Sequence, residues 1–241
     1  MLVAAAACPC PPLLVPEVAA GAAPELDGLR AACLDAVAVL AAARPDRLVV
    51  LGPADVTRRG PHPQGAAGSF RGLGIDLDVR LGQAPQDAGP ADGSALPQSL
   101  AVAAWLLERT QWTAAPVEGL GVGEELETER CLAAGRELAG SAEERVVLLV
   151  MGDGSACRTV KAPGYLDERA EPFDAAAARA LGAADTAALA ALDAELAYEL
   201  KAAGRAPWQV LAGAGEGAGL SGALLYDEAP YGVGYYVAGW S

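Results

Sequence analysis

The apolar run RVVLLVM at residues 145–151 leads directly into the turn Gly152-Asp153-Gly154-Ser155. An unbroken run of branched apolar residues that ends at glycine is typical of a strand with both faces buried. Residues 2–7 and 47–51 have the same character and end at Cys-Pro-Cys-Pro-Pro and Gly-Pro. Proline and glycine stop a strand, so the sequence predicts three buried strands, each followed by a loop.

Segments with helical spacing separate these strands. In residues 25–43 the apolar side chains recur every three or four positions, and Pro24 suits the start of a helix. The same reasoning predicts helices at residues 97–112, 124–139, 173–181, with Asp174 as a cap, and 186–203. Further strands are predicted at residues 75–81, 117–122, 222–225 and 233–240, with another apolar element at 208–212.

Alternating strands and helices predict an α/β fold. We expect a single domain over residues 1–241, an α/β/α sandwich around a mixed, mostly parallel central sheet. Residues 55–72 read as a long polar surface loop, and residues 83–94 read as a Gly/Pro/Asp-rich loop rather than a domain boundary.

Composition excludes several classes of function. The formal net charge is −14, so direct binding to nucleic acid or to an anionic membrane surface is disfavoured. The first 21 residues lack a basic n-region and are interrupted by prolines, and no later run reaches the ~20 apolar residues that span a bilayer. Five cysteines, an odd number, indicate reduced thiols. We therefore expect a cytoplasmic protein.

The chain has one histidine, His62. Histidine is the commonest ligand of catalytic transition metals and the usual general base near neutral pH. One copy of this chain therefore cannot build a metal centre with two or three histidines. His62 lies between prolines in the polar segment 55–72, which predicts a solvated loop histidine.

Candidate functional residues follow the three buried strands, where ligands bind in open α/β sheets. Cys10 reads either as a nucleophile or soft-metal ligand or as a buried, inert thiol like Cys8. Asp55 follows the carboxyl end of the predicted strand at residues 47–51. Asp153 and Ser155 either meet a ligand at a sharp glycine turn or cap that turn.

A fourth candidate lies near the C-terminus. Glu228 belongs to the run Tyr-Asp-Glu-Ala-Pro-Tyr at residues 226–231. Adjacent carboxylates beside tyrosines could polarise a substrate or bind a metal ion. The alternative is a solvated hairpin with tyrosines packed at a sheet edge.

These motifs resemble a known family. The opening CPCPPLLVPE at residues 8–17 is similar to that of the class III extradiol dioxygenase B-subunit-like proteins, which also resemble the Memo family and often read Pro-His-Pro-Pro here. Gly-Asp-Gly-Ser-Ala at residues 152–156 is similar to the family's Gly-Asp-Leu-Ser-His. The residues that follow it in the family pattern are matched by Tyr165, Asp167, Arg169, Phe173 and Asp174.

The resemblance implies a ferrous iron held by two histidines and a glutamate, with a further histidine as acid and base. Aligned by motif, the metal histidines fall on Cys10 and near Ala54, and the acid/base histidine falls on Ala156. Only Glu228 matches the family glutamate. Methyl groups cannot bind iron, so we expect no metal and no cofactor, on a scaffold that has lost ring cleavage.

Three functions are compatible with this reading. The favoured one is a non-catalytic binding or interaction protein with a small-molecule ligand. Family members commonly form homodimers, so the resemblance also implies a homodimer. Its pocket would contain Cys10, Asp55, Asp153, Ser155, Ala156, Cys157 and Glu228. The second is an enzyme with altered chemistry, using Cys10 or Cys157 as nucleophile or soft-metal ligand and Asp153 or Glu228 as base. The third is a non-heme iron dioxygenase in which His62 swings into the site.

Overall fold

A seven-stranded mixed sheet forms the centre of the protein in the computed structural model, which describes residues 1–83, 95–140 and 143–241. Its strands run in the spatial order β3-β6-β2-β7-β1-β9-β8. The four central strands are parallel, and β3, β9 and β8 each pair antiparallel with a neighbour. The strands are β1 (Leu2–Cys8), β2 (Arg47–Pro53), β3 (Gly60–His62), β6 (Val117–Val122), β7 (Val146–Met151), β8 (Gly222–Glu228) and β9 (Tyr235–Trp240). A separate pair consists of β4 (Ala67–Ser69) and β5 (Asp78–Arg80).

Helices cover both faces of this sheet, which confirms the α/β/α sandwich. Helices α2 and α3 pack on one face, and α4, α5 and α8 pack on the other. The helices are α1 (Pro16–Ala19), α2 (Asp27–Ala42), α3 (Gln98–Arg109), α4 (Thr128–Leu138), α5 (Ala170–Gly182), α6 (Thr186–Ala190), α7 (Ala194–Glu199) and α8 (Arg205–Gly215). None of these described helices is both long and apolar enough to span a membrane.

Small residues allow the layers to approach closely. Helices α4 and α8 touch backbone to backbone, since a Cβ on Gly135 would overlap the Val210 carbonyl oxygen and one on Gly213 would overlap that of Leu132. The core between the layers is built largely of alanine, valine and leucine. The low aromatic content of 5% therefore fits a sandwich with closely packed layers.

Two helix predictions are wrong in detail. Asp174 does not cap a helix, because α5 begins at Ala170 and Asp174 lies buried within it. The predicted helix at residues 186–203 is two short helices, since the Asp185 and Asp193 side chains accept hydrogen bonds from first-turn N–H groups of α6 and α7. The untyped apolar element at residues 208–212 belongs to α8.

The polar segment 55–72 is not simply a surface loop, and the prediction of a solvated His62 is wrong. His62 lies in β3, pairs with Gly119 of β6 and is only 6% exposed. Its Nε2 lies 2.9 Å from the carbonyl oxygen of Arg58. The predicted strand at residues 75–81 is shorter, as β5, and pairs with β4. Most of the predicted loop at residues 83–94 falls outside the described residues.

Candidate functional site

The loops that follow β1 and β7 meet at the carboxyl-end edge of the sheet. Cys8 pairs with Met151 in the parallel register, so the two strands end at the same level. The Cys10 backbone N–H then donates to Asp153 Oδ1 at 2.7 Å, and the Gly152 N–H donates to the Cys8 carbonyl at 2.9 Å. The structure thus brings together Cys10 and Asp153, which are 143 residues apart in the sequence.

Burial sets the protonation of this pair. It raises the pKa of Asp153 to about 6, although hydrogen bonds from the Cys10 backbone and thiol lower it. Burial, and then the Asp153 charge, raise the pKa of the Cys10 thiol well above its usual value. Cys10 is therefore a protonated thiol at neutral pH, and Asp153 changes charge close to neutrality.

Two further residues complete the surroundings of this pair, and neither was predicted. Tyr235 on β9 has its pKa raised by burial and by the nearby Asp153 charge. Cys33 on α2 lies beside Cys8, and burial together with this thiol contact raises its pKa. The alternation of Tyr235, Val237 and Gly239 in the last strand indicates which face Tyr235 occupies, but not its neighbour.

Ser155 belongs to a different, closed network. It is 0% exposed; its N–H and hydroxyl donate to the two Asp174 carboxylate oxygens at 2.8 and 2.7 Å. Arg158 donates to the same carboxylate at 3.3 Å. The Gly154 N–H donates to the Gly234 carbonyl, which ties the loop to β9. These groups satisfy one another and hold the loop against α5 and β9.

A tight contact explains the glycine in that turn. A Cβ on Gly154 would lie 2.5 Å from the Tyr236 hydroxyl oxygen. That hydroxyl is buried close to the Asp174 carboxylate. Burial, and then the Asp174 charge, raise the Tyr236 pKa above its usual range.

Ala156 and Cys157 pack against the end of α7. The Ala156 N–H donates to the Leu200 carbonyl at 2.9 Å, and the Cys157 thiol donates to the same oxygen at 3.5 Å. Both side chains are buried. Burial, followed by the Asp167 charge, raises the pKa of Cys157. This second candidate nucleophile is therefore also a protonated thiol near neutral pH.

Asp55 and Glu228 lie on the surface. Asp55 accepts hydrogen bonds from the Thr57 N–H at 2.9 Å and its hydroxyl at 2.6 Å, which lowers the Asp55 pKa. Glu228, at the end of the edge strand β8, accepts a hydrogen bond from the Tyr226 hydroxyl at 3.0 Å. Within residues 1–83, 95–140 and 143–241, no hydrogen bond or ion pair joins either carboxylate to Cys10 or Asp153.

The residues present do not fit an iron centre. In the described chain, no group of three or more His, Cys, Asp or Glu side chains is placed to hold a metal ion. Where the family resemblance places a metal histidine and the acid/base histidine, this chain has Ala54 and Ala156, whose methyl groups cannot replace them. His62 is on β3, four strand spacings from β1, or roughly 19 Å away. It is also held inside the fold, so it cannot swing to Cys10.

One depression of about 270 Å³ lies at this same edge, beyond the end of β6. Its rim carries both signs of charge, and Arg59 is held across it by Glu125 at 2.5 Å. The buried Arg205 supports the loop from below by donating to the carbonyls of Glu124 and Leu126. The lining residues are Arg59, Gly123, Glu125, Leu126, Glu127 and Arg130.

Comparison with known proteins bears on the fold alone. No protein-family model matches the sequence, and no curated protein matches it. Among solved structures, the chain is similar to the uncharacterized protein JW3007 from Escherichia coli K12. The identity is 12%, the TM-score is 0.60, and the alignment covers 99% of this chain and 100% of the other. The whole chain therefore has the fold of that protein.

Proposed function

We propose that this protein is a non-catalytic binding protein on a scaffold that resembles the class III extradiol dioxygenases. The observation that carries the proposal is the hydrogen bonding among polar groups at the carboxyl-end edge of the sheet. Cys10 donates a hydrogen bond to Asp153, and Ser155 donates hydrogen bonds to the buried Asp174. Groups that satisfy one another stabilise two loops, so these four side chains support the fold, which favours a binding function over catalysis at this edge.

The raised pKa values of the thiols support a binding function over catalysis by a cysteine nucleophile. A cysteine nucleophile needs a depressed pKa, usually from a nearby cation or helix N-terminus. Burial raises the pKa of both Cys10 and Cys157, and a neighbouring carboxylate raises each further. All five thiols are free and buried, which also supports placing the protein in the cytoplasm.

The ligand in this proposal is a small zwitterion such as an amino acid. The depression beyond β6 is smaller than the 300 Å³ or so at which drug-sized pockets begin. Arg130 and Glu127 lie on its rim without an ion pair in the described chain, so they can pair with a carboxylate and an ammonium group of one ligand. Its position at the ends of parallel strands is the usual ligand position in open α/β sheets.

A reconstitution experiment tests the loss of dioxygenase activity. Purified protein is loaded with ferrous iron without oxygen, desalted and then given catechol and oxygen. We expect far less than one iron per chain and no ring-opened product by absorbance. Stoichiometric iron together with turnover would overturn the proposal.

A thermal-shift screen with the twenty amino acids tests the binding. At least one is expected to raise the unfolding temperature, because a ligand that binds only the folded state stabilises it. Arg130→Ala and Glu127→Gln should each reduce the shift, whereas Arg71→Ala, which changes an exposed arginine outside the lining of the depression, should not. The proposed ligand class is rejected if no amino acid shifts the protein, or if the rim variants respond like wild type.

A further inference from the structure

Strand β8 is an open edge of the central sheet. It stands last in the spatial order of the strands and pairs only with β9 among the described residues. Where this pairing begins, Ser221 and Ser241 exchange both backbone hydrogen bonds, at 2.9 and 3.0 Å. The direction of hydrogen bonding alternates along a strand, so the N–H and C=O groups of Gly222 and Leu224 point away from β9. These groups are donors and acceptors on an unpaired sheet edge.

The opposite edge of the sheet is protected from pairing, whereas β8 is not. Strand β3 is only three residues long, and its Pro61 lacks a backbone N–H. Short edge strands, proline and lysine are devices that keep a sheet edge from pairing with another chain. Strand β8 has seven residues, and its sequence contains no proline, lysine or arginine. It is therefore the edge on which a further strand can add.

One irregularity limits the length of backbone pairing along β8. The register with β9 shifts between Leu224 and Tyr226, so Leu225 is the extra residue of a bulge. A regular ladder can form along the part before the bulge, and beyond it the contact depends on side chains. The edge thus has a backbone-pairing half and a side-chain half.

Apolar side chains accompany the backbone-pairing half. Leu224 and Leu225 are 41% and 42% exposed, and Ala223 is exposed as well. Leu224 is placed beside the end of α5, since a Cβ on Gly182 would lie 2.9 Å from Leu224 Cβ. An added strand would bring its own side chains against these residues, and β-branched or aromatic side chains pack best in such cross-strand pairs.

The other half of the edge is acidic. Asp227 and Glu228 are both exposed at the end of β8. Just beyond the strand, the Tyr231 hydroxyl donates a hydrogen bond to the exposed Glu25 at 2.9 Å, which brings a third carboxylate to this end. Within the described residues, none of these three carboxylates is in an ion pair.

This negative charge is not neutralised locally. The field of Arg158 reaches Asp227, but Arg158 is already in ion pairs with Glu171 and Asp174. The chain as a whole carries −14, so the acidic end of β8 attracts a cationic segment and disfavours an acidic one. A second copy of this chain brings the same net charge and no cation on its own β8, which makes it the poorer occupant of the edge.

We propose that β8 is the docking edge for an extended segment of another protein, apolar at one end and basic at the other. Its β-branched or aromatic end adds as a short strand beside Gly222–Leu224. Its lysines or arginines lie against Asp227, Glu228 and Glu25. In this mode of recognition, backbone hydrogen bonds supply affinity and alternate side chains supply specificity. The inference does not depend on the proposed ligand, because the depression lies beyond β6, five strand positions from β8.

Selection from a displayed library of random linear peptides on the wild-type protein tests the docking edge. The recovered peptides are synthesised, and their dissociation constants are measured by fluorescence polarisation. We expect them to combine β-branched or aromatic residues with lysine or arginine at one end. Raising the salt concentration should weaken their binding, because exposed charge pairs are screened.

Two sets of variants separate backbone pairing from charge. Leu224→Pro removes an outward N–H without breaking the ladder to β9, and should weaken peptide binding about tenfold relative to Leu224→Thr, which keeps the N–H. Asp227→Lys together with Glu228→Lys should weaken binding at least about tenfold. Glu129→Lys together with Glu137→Lys makes the same change in net charge on α4 and should bind peptide like wild type.

Circular dichroism checks the folding of each variant, and the charge reversals keep the test independent of the introduced proline. The proposal is overturned if no basic peptide is recovered, if a folded Leu224→Pro binds like Leu224→Thr, or if the two charge-reversed proteins bind equally. Sedimentation velocity examines the second copy as occupant. A wild-type dimer that Leu224→Pro dissociates and Leu224→Thr does not would also overturn the proposal.

Discussion

Asp153 and Asp55 occupy similar places in the sequence and opposite environments in the structure. Each follows a buried parallel strand and a glycine. Asp153 is partly buried against Cys10, and its pKa is raised to about 6. Asp55 is exposed, and hydrogen bonds from Thr57 lower its pKa.

The difference comes from what covers each loop. The Asp153 carbonyl accepts a hydrogen bond from the Gly204 N–H at the start of α8, and the Gly154 N–H donates to the Gly234 carbonyl just before β9. The loop after β2 is tied at Ala54 to the end of β6, and Asp55 beyond it faces solvent. The position at a strand end therefore does not determine the chemistry of a carboxylate; the elements packed over that end do.

The largest effect is expected for the carboxylate enclosed beneath the β7 loop. Asp174→Ala removes the partner of the Ser155 N–H and hydroxyl and of Arg158, and should lower the free energy of unfolding by about 3 kcal/mol. Asp55→Ala, on the exposed loop, should lower it far less. Urea denaturation measures both. If the two variants lose equal free energy of unfolding, the loop after β7 is no more dependent on its carboxylate than the loop after β2.

A smaller effect is expected at the glycine that lets α8 cover the β7 loop. In Gly152→Ala the new Cβ would overlap Gly204 Cα, which is backbone and cannot swing away. We expect a loss of about 2 kcal/mol in thermal or urea unfolding. Gly72→Ala is the control, since nothing lies within 4 Å of its Cβ. A Gly152→Ala protein as stable as this control would show that α8 does not constrain the loop.

The smallest changes should appear in the pH dependence. The folded pKa of Asp153 is about 6 against an ordinary 3.8, so its contribution to stability is full below the unfolded pKa and is lost as pH rises through 6. Asp153→Asn removes this dependence, which solvent screening of the partly buried carboxylate limits to about 1–2 kcal/mol between pH 4 and 7.

Asp55 should show the opposite sign. Its folded pKa is lowered, so the stability it contributes is present above the unfolded pKa and is lost as pH falls. Urea denaturation of wild type, Asp153→Asn and Asp55→Asn at a series of pH values measures the two differences. If both substitutions change the pH dependence of stability in the same direction, the opposite pKa shifts of Asp153 and Asp55 are wrong.

The sequence predicted the central strands because their apolar runs are continuous and end at proline or glycine. Strands β1, β2 and β7 lie where these runs placed them, and β6 has its predicted bounds. The errors lie where a distant contact decides the local structure. His62 looked solvated because its neighbours are polar, but pairing between β3 and β6 buries it. Asp174 looked like a cap, but its partner Ser155 is 19 residues earlier.

The same distinction holds for the candidate site. Residue type alone establishes that the chain has one histidine and cannot supply a centre of several histidines. That Cys10 meets Asp153, while Ser155 meets Asp174, depends on which strands become neighbours. Burial then sets the pKa of Asp153 and of both candidate thiols, because desolvation depends on every element packed around a group. The sequence determined which groups are present, and only the tertiary structure decided their partners and their charge.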